Sequence, residues 1–513
     1  MASLVYLQHK NGKIYVYENI SFWDKKTHKA KSKRKCIGHL DTATKKIVPN
    51  RKKETTVLTT SNSPECYSYD CGIALLLDKI TNDMKLNLIL KKIFPDDWKA
   101  ILTCTYFLIS EGQALSRVEK WSKQSINPYG GMLADQRVSE LLSRITESNI
   151  QNFFTKWFEA NSSDEYYCMD ITSVSSYSEF NEFVSFGYNR DGEDLPQINL
   201  LLISGHQTHL PLFYRIIPGS IKDVSTLNES LQRLNFIDIK HLHMVMDKGF
   251  YSESNVDAMY DNHVRFSIGV PFTSSIARDA VERHRTDDMT TFVNYINVLG
   301  DEVFAVSELY KWKNHRCYLH IYFDNIKAAI DERKFSHKIL TEYEELVSGK
   351  THKAHENDYK RFFTVKETPK RGRKVNYNQE EINKYRKNTV GWFVMATNDI
   401  KDSKEALEIY RMKDAVEKHF DDLKNDLDMK RLRIHSSSAM EGRIFIQFIS
   451  LIISSQIKTV MNENDWFNNH NMQEVIDELK SIRVMTFAGK KKKIYTTLTS
   501  FQKEILKLFD IVF

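Results

Sequence analysis

The pattern of hydrophobic and polar positions changes twice along the first half of the chain. Residues 1–60 alternate in short strand-like runs, for example at 13–18, and apolar residues then recur at helical spacing between 70 and 160. After residue 165 the pattern changes to short apolar runs. These runs predict strands at 166–172, 197–204, 210–217, 241–247 and 264–270, with helices at 223–234 and 252–260. The order of three strands, helix, strand, helix, strand predicts a mixed α+β fold, with one sheet backed by helices.

The second half begins with a segment that interrupts this pattern. Residues 271–400 contain strand candidates at 301–306, 317–323 and 392–397, and the polar, lysine-rich stretch 331–389 predicts a helix followed by a mobile loop. A long helix is predicted at 405–427. The apolar run at 444–457 is too short to span a bilayer and is typical of a buried helix.

Length and charge indicate several domains and a nucleic-acid partner. A chain of 513 residues is too long for one ordinary core. The net charge of +6 is small, but basic residues cluster at 25–35, 51–53, 369–374 and 490–493. Such clusters form solvated loops or phosphate-binding segments. Because the first residues become polar within ten positions, we expect no signal peptide. Six cysteines without CxxC spacing predict a reduced, cytoplasmic protein and do not match the ligand spacing of a zinc site.

The predicted helix at 405–427 has two adjacent faces. At about 100° per residue, one arc of about 80° is apolar and predicts a buried stripe. Its members are Ile409, Met412, Val416, Phe420, Leu423 and Leu427. The neighbouring arc holds Tyr410, Lys413, Glu417 and Lys424. A charged helix of this kind is either a solvated face beside a core or part of a site.

Three acidic residues are candidates for chemistry. Asp170 lies inside an apolar strand, Asp247 ends another strand just before Gly249, and Glu417 lies on the long helix. A carboxylate within an apolar strand is costly to bury without a partner, and a divalent cation is one candidate. A lone aspartate in a strand is more often a hydrogen-bonded structural residue, so the three acids are informative only together.

The spacing of Tyr410, Lys413, Glu417 and Lys424 resembles the Tyr-Arg-Glu-Lys motif of insertion-sequence DDE transposases, and the resemblance extends over about residues 165–442. Lys413 stands where that family usually has arginine, and lysine neutralises a phosphate without the bidentate fork. The resemblance implies a ribonuclease H-like catalytic core interrupted by a β-rich insertion. The expected division has six parts: a basic strand region at 1–60, a helical region at 61–160, the core at 161–270 and 401–460, the insertion at 271–400, and a helical C-terminal region at 461–513. The helices at 61–160 either form a DNA-binding domain or only pack on the catalytic core.

The expected chemistry is cleavage of phosphodiester bonds at transposon ends and joining of the 3′-hydroxyls to target DNA. Two Mg²⁺ ions, or Mn²⁺ as a substitute, suit such a reaction and bind to carboxylates. Asp170 is expected to bridge the ions, and Asp247 and Glu417 each to hold one. Tyr410, Lys413 and Lys424 are expected to bind DNA phosphates, within a homodimer assembled on double-stranded DNA.

Other functions remain open at this stage. A metal-dependent nuclease with the same fold would cut without joining, and a non-catalytic descendant would only bind DNA. Trp312, between Lys311 and Lys313, is either a core residue or a base-stacking residue.

Overall fold

The computed structural model describes most of the chain, which divides into two compact units, Met1–Glu65 and Cys66–Phe513. The described residues are 2–9, 13–24, 29–41, 45–49, 66–163, 165–178, 181–221, 225–236, 242–368, 372–434, 436–487 and 493–513. The basic run at 51–53, residues 369–371 and residues 490–492 lie outside them.

The first unit contains a four-stranded antiparallel sheet in the order β1-β2-β3-β4. Its strands are β1 (Ala2–Gln8), β2 (Ile14–Asp24), β3 (Lys29–Leu40) and β4 (Ile47–Pro49). The strand predicted at 13–18 is the start of β2. The described part of the first basic run, from Lys29 onwards, lies on β3 and not in a loop, with Lys33 opposite Ile20 of β2.

The second unit begins with one short strand and six helices, as the helical spacing predicted. They are β5 (Cys66–Asp70), α1 (Gly72–Asp83), α2 (Leu86–Ile93), α3 (Trp98–Glu111), α4 (Val118–Ser122), α5 (Asp135–Arg144) and α6 (Glu147–Asn161). Helix α3 is buried along nearly its whole length. These helices therefore pack as part of the main core, whose buried residues continue into the central sheet.

The central sheet forms from the strands that the apolar runs predicted. In chain order the elements are β6 (Tyr166–Ser176), β7 (Gln197–Gly205), β8 (Pro211–Pro218), α7 (Leu227–Phe236), β9 (His243–Met246), α8 (Glu253–Asp261) and β10 (Arg265–Val270). Strands β6, β7 and β8 are antiparallel neighbours, whereas β9 runs parallel to both β6 and β10. The spatial order is β10-β9-β6-β7-β8.

The segment predicted as an insertion continues this sheet. Its elements are α9 (Ser275–His284), β11 (Tyr295–Val298), β12 (Asp301–Trp312), β13 (His315–Phe323), α10 (Asn325–Ser348), α11 (Glu356–Phe362), β14 (Phe363–Thr368), β15 (Gly372–Tyr377), α12 (Gln379–Thr389) and β16 (Trp392–Thr397). Strand β16 pairs with both β10 and β13, so β11, β12 and β13 extend the central sheet. The fully buried His320 of β13 hydrogen-bonds the hydroxyls of Ser307 and Thr397 across this extension.

The described residues of 331–368 and 372–389 form regular elements, and the prediction of a helix followed by a mobile loop was wrong for them. Helices α10, α11 and α12 and the hairpin β14–β15 bury their own small core, which includes Phe335, Ile339 and Phe362. The sequence did not predict this core because it is small, and its few apolar residues are dispersed in a largely polar segment.

Trp312 is a core residue. Its side chain is 6% exposed, and its indole Nε1–H donates to Asp257 Oδ1 at 2.9 Å. The structure therefore supports the core role of Trp312 over base stacking.

The last part of the chain returns to the central sheet and the helical layer. Its elements are α13 (Ser403–Arg411), α14 (Asp414–Asp421), a π-helical turn (Asp422–Asp426), β17 (Arg431–Leu432), α15 (Ser437–Glu463), α16 (Met472–Lys480), β18 (Arg483–Phe487), β19 (Lys493–Tyr495) and α17 (Ser500–Leu508). Helix α15 is long and apolar enough to cross a membrane, but 78% of its most apolar window is buried within the protein, as expected for a core helix.

Candidate active site

The helix predicted at 405–427 is three consecutive segments. Helix α13 ends at Arg411, Met412 and Lys413 form a turn, α14 follows, and the wider π turn begins at Asp422. The prediction of one continuous helix was wrong because the apolar spacing passes through this turn without a break. The predicted apolar stripe is buried at every position except Met412, which is partly exposed.

Asp170 and Asp247 lie side by side on neighbouring parallel strands. Met169 of β6 is in register with Met246 of β9. Asp170 follows Met169 and Asp247 follows Met246, so the two aspartates lie next to each other. Parallel strands lie about 4.8 Å apart, and residues in register point to the same face. After Asp247 the chain turns at once into a single 3₁₀ turn, Lys248–Phe250, which leaves this carboxylate at the strand end.

The two aspartates differ in their electrostatic environment. Burial raises the pKa of Asp170 to about 6, although the amide of Ile171 and the charge of Lys413 act in the opposite direction. Burial also acts on Asp247, but the charge of Lys413 and a hydrogen bond from Tyr410 outweigh it and lower the pKa of that carboxyl. Asp247 therefore carries the more stable negative charge of the pair.

Tyr410 reaches Asp247 because a strand residue leaves space for it. The Tyr410 hydroxyl donates to Asp247 Oδ1 at 2.9 Å. A Cβ at Gly269 of β10 would lie 3.1 Å from that hydroxyl oxygen and 3.1 Å from the backbone nitrogen of Lys248. A side chain at position 269 would crowd this hydrogen bond, so Gly269 belongs to the site through its lack of one.

Lys413 joins Asp247 to Glu417. Its Nζ lies 3.9 Å from Asp247 Oδ1 and 3.1 Å from Glu417 Oε1. Burial disfavours its charge, but the carboxylates of Asp247, Asp170 and Glu417 raise the pKa of its ammonium. Thus α13, the turn and α14 bring Tyr410 and Lys413 to Asp247 at the end of β9, and Lys413 pairs in turn with Glu417.

The carboxylates suit a hard divalent cation in their donor chemistry. Carboxylate oxygens are the protein ligands that Mg²⁺ prefers, and the Lys413 ammonium lies between two of them, where it balances negative charge. Within the described residues, no three histidine, cysteine or acidic side chains are already grouped tightly enough to hold a metal ion. The donor set fits Mg²⁺ in chemistry, and the grouping of all three acids around one ion is not preformed.

Lys424 lies apart from the other motif residues, beyond the start of the π turn. Its Nζ contacts both carboxylate oxygens of Asp191 at 2.8 Å, and its side chain is 12% exposed. The structure therefore pairs Lys424 with the segment between β6 and β7 and not with Glu417.

His419 supports the helix that carries Glu417. Its ring nitrogens lie 2.9 Å from Ser204 Oγ of β7 and 3.1 Å from Ser455 Oγ of α15. Burial lowers the pKa of His419 to about 3, so its imidazole is neutral and ties α14 to the sheet on one side and to α15 on the other. Sequence reasoning missed both His419 and Gly269; the only signal was a histidine on the buried side of an otherwise charged helix.

Comparisons with known proteins identify the family. A family profile described as "Transposase DDE domain" matches residues 161–453, more than half of the chain, and this range includes Asp170, Asp247 and the segment from Tyr410 to Lys424. The chain belongs to this family of DDE transposases, which are enzymes that act on DNA.

Two further comparisons are weaker. Among solved structures, a piggyBac transposase synaptic complex with hairpin DNA is similar with 9% identity, over 80% of this chain and 76% of that chain, at a TM-score of 0.37. No curated protein matches the chain.

Proposed function

We propose that this protein is the transposase of an insertion sequence, which cuts phosphodiester bonds at the ends of its element and joins the 3′-hydroxyls to target DNA. The observation that carries the proposal is that Asp170 lies beside Asp247 in register, and that Asp247 is contacted by Tyr410 and by Lys413, which also pairs with Glu417. The family match over residues 161–453 supports it.

We infer that the catalytic core is ribonuclease H-like. Three antiparallel strands, β6–β8, are followed by β9 and β10, which run parallel to β6 on its other side. This arrangement supports the inference because it places the first strand at the centre of the five, between the antiparallel and the parallel parts. The first aspartate lies on that central strand.

Asp170, Asp247 and Glu417 are the residues that would hold Mg²⁺, with Mn²⁺ as a substitute. Two such ions supply activation of the attacking oxygen and stabilisation of the leaving oxygen in phosphodiester chemistry. The protein itself contributes by holding the three carboxylates in position. The β6–β9 register holds the two aspartates together, Tyr410 orients Asp247, and His419 holds the helix of Glu417 in position.

The cationic residues have a separate role in this proposal. Lys413 and Lys424 neutralise DNA phosphates beside the scissile bond, and Tyr410 contacts the same backbone. Lys413 is 17% exposed in its side chain and is paired with carboxylates. Its ammonium therefore exchanges those carboxylates for a phosphate oxygen when DNA is bound.

The test is a set of charge-removing substitutions with a matched control. Asp170→Asn, Asp247→Asn and Glu417→Gln should each abolish Mg²⁺-dependent cleavage of end DNA while duplex binding survives. Asp421→Asn removes a carboxylate from an exposed position of α14 and should leave cleavage unchanged. Cleavage retained by any of the three variants would exclude that residue from the site.

Two assays separate this function from its alternatives. A strand-transfer assay with labelled end DNA distinguishes a transposase, which joins ends, from a nuclease, which only cuts. Calorimetric titration with Mg²⁺ and Mn²⁺ distinguishes both from a DNA-binding descendant that has lost catalysis. Light scattering with and without end DNA tests the proposed homodimer.

A further inference from the structure

A row of cations follows the candidate active site along the chain. We define the cation row as Lys424 of the π turn, Arg431 of β17 and Arg433. Tyr177 contacts both arginines. The guanidinium carbons of Arg431 and Arg433 lie 5.8 and 5.9 Å from the centre of the Tyr177 ring. Arg431 Nη1 also donates to the Tyr177 hydroxyl at 2.8 Å, so the tyrosine fixes the position of this guanidinium by both a hydrogen bond and a cation–π contact.

A short acidic turn covers two of these cations. We define the acidic turn as residues 189–193, in the connection between β6 and β7. Asp191 accepts hydrogen bonds from Lys424 Nζ with both oxygens at 2.8 Å. Glu193 accepts from Arg431 Nη2 at 2.6 Å and from its Nε at 3.1 Å. Each carboxylate therefore takes the place that an anionic phosphate group would take on these donors.

Hydrogen bonds and a glycine fix the conformation of the acidic turn, so that its two carboxylates face the cation row. The Asn189 Oδ1 accepts from the backbone amides of Asp191 and Glu193 at 2.8 and 3.4 Å, and Asn189 Nδ2 donates to Ser175 Oγ at 3.1 Å. Gly192, between the two acids, has a φ of +71°, which a residue with a side chain rarely adopts. Strand β17 pairs Arg431 with Ser175, so the turn and the cation are anchored to the same strand residue.

We propose that the acidic turn is a displaceable substitute for DNA phosphates, and that the cation row beneath it is a binding surface for the DNA backbone. The inference rests on the proposed function, which makes duplex DNA the partner, and extends the DNA surface from Lys424 to Arg431 and Arg433. Each ion pair has one partner that water reaches: Asp191 is 33% exposed against 12% for Lys424, and Arg431 is 41% exposed against 18% for Glu193. Exchange can therefore begin from the exposed partner of each pair. A solvent-exposed ion pair typically changes the equilibrium between its paired and unpaired states by only about two- to fivefold.

A competing interpretation makes the opposite prediction. If Asp191 and Glu193 brace the cations in a geometry ready for DNA, removing the carboxylates weakens binding. If the carboxylates instead occupy the cation row in place of DNA phosphates, removing them strengthens DNA binding. The freed cations then contact phosphates, and more counterions leave the DNA on binding. The sign of the change therefore separates the two.

The experiment compares full-length Asp191→Asn, Glu193→Gln and the double variant with the wild type. Binding to a mixed-sequence duplex of about 20 base pairs is measured by fluorescence anisotropy at several salt concentrations. The expected result is a rise in affinity of about two- to fivefold for each single variant. The plot of log affinity against log salt should become steeper by about 1 per freed cation and by about 2 in the double variant.

Asp194→Asn is the matched control. It removes the same charge next to the acidic turn, and within the described residues Asp194 forms no ion pair with the cation row. Thermal melting of each variant shows that folding is retained, and Lys424→Ala in the Asp191→Asn background should return the salt dependence to the wild-type value.

The outcomes separate the role of the acidic turn from the proposed function. Binding that is weaker than wild type, or no steeper in salt than Asp194→Asn, overturns the role of the acidic turn and leaves the proposed function intact. A wild-type protein that shows no salt-dependent binding to duplex DNA overturns the proposed function and this inference together.

Discussion

Gly269 makes a sharp prediction because its missing side chain leaves room for the Tyr410–Asp247 hydrogen bond. In Gly269→Ala, the new Cβ would lie 3.1 Å from the Tyr410 hydroxyl oxygen, 3.1 Å from the Lys248 backbone nitrogen and 3.2 Å from the Lys248 Cβ. Ordinary contact begins at about 3.4 Å, so the neighbours must move by a few tenths of an ångström. Overpacking of this kind costs about 1–3 kcal/mol in stability.

The movement of Tyr410 away from the new Cβ also changes the candidate active site. Tyr410 must move away from a hydrogen bond of 2.9 Å to Asp247, which is held next to Asp170. Since a shift of about 1 Å in a catalytic group costs about a hundredfold in rate, a few tenths of an ångström should cost about three- to tenfold. We expect Gly269→Ala to lower both the melting temperature and the rate of end cleavage.

Two further variants isolate the cause. Gly131→Ala adds a Cβ with nothing within 4 Å, so its stability should be unchanged or slightly higher than that of the wild type. In a Tyr410→Phe background the hydroxyl is absent, and Gly269→Ala should cost at least about 0.5 kcal/mol less than it does in the wild type. If Gly269→Ala changes stability no more than Gly131→Ala does, or if its stability loss is fully additive with that of Tyr410→Phe, the Cβ does not act through the Tyr410 hydroxyl.

Three other predictions follow from buried contacts. Burial lowers the pKa of His320 from 6.5 to about 4, so the folded protein binds fewer protons than the unfolded chain. Stability should therefore fall by up to about 3 kcal/mol as the pH drops from about 6.5 to about 4, and chemical denaturation of His320→Gln should show a flatter pH profile. Gly442→Ala would place a Cβ 2.1 Å from the Leu142 carbonyl oxygen, and calorimetry should show a loss of about 3 kcal/mol or an unfolded protein. Trp312→Phe removes the hydrogen bond to Asp257 and should cost about 1 kcal/mol in denaturant unfolding. Its affinity for duplex DNA should stay unchanged, whereas reduced DNA affinity would restore the base-stacking role.

The sequence predicted those parts of the fold that have a strong local period. The strands β6–β10 appear as apolar runs because both faces of the sheet are covered, and the predicted strand at 392–397 has the bounds of β16. The pairing of β16 with β10 and β13 was not predictable from such a pattern, because local runs carry no information about which strands become neighbours.

Part of the candidate site was also visible in the sequence. Asp170 and Asp247 stood out because a charge in or beside an apolar strand is unusual, and the register of β6 with β9 places them side by side. The turn at Met412 and Lys413 has an uninterrupted apolar spacing and no glycine or proline, so no local signal marks it. The contact of Lys424 with Asp191 depends on the path of the connection between β6 and β7, which has no periodic pattern.

The continuous hydrogen bonding from β10 through β16 to β13 has a practical consequence for anyone shortening this protein. Excision of residues 271–400 would leave the inner strand β10 with a bare row of amides and carbonyls, which is a template for aggregation. A minimal version must therefore retain β13 and β16 as a border, and only the outlying bundle of α10–α12 with the β14–β15 hairpin, which fills its own small core, is a candidate for removal.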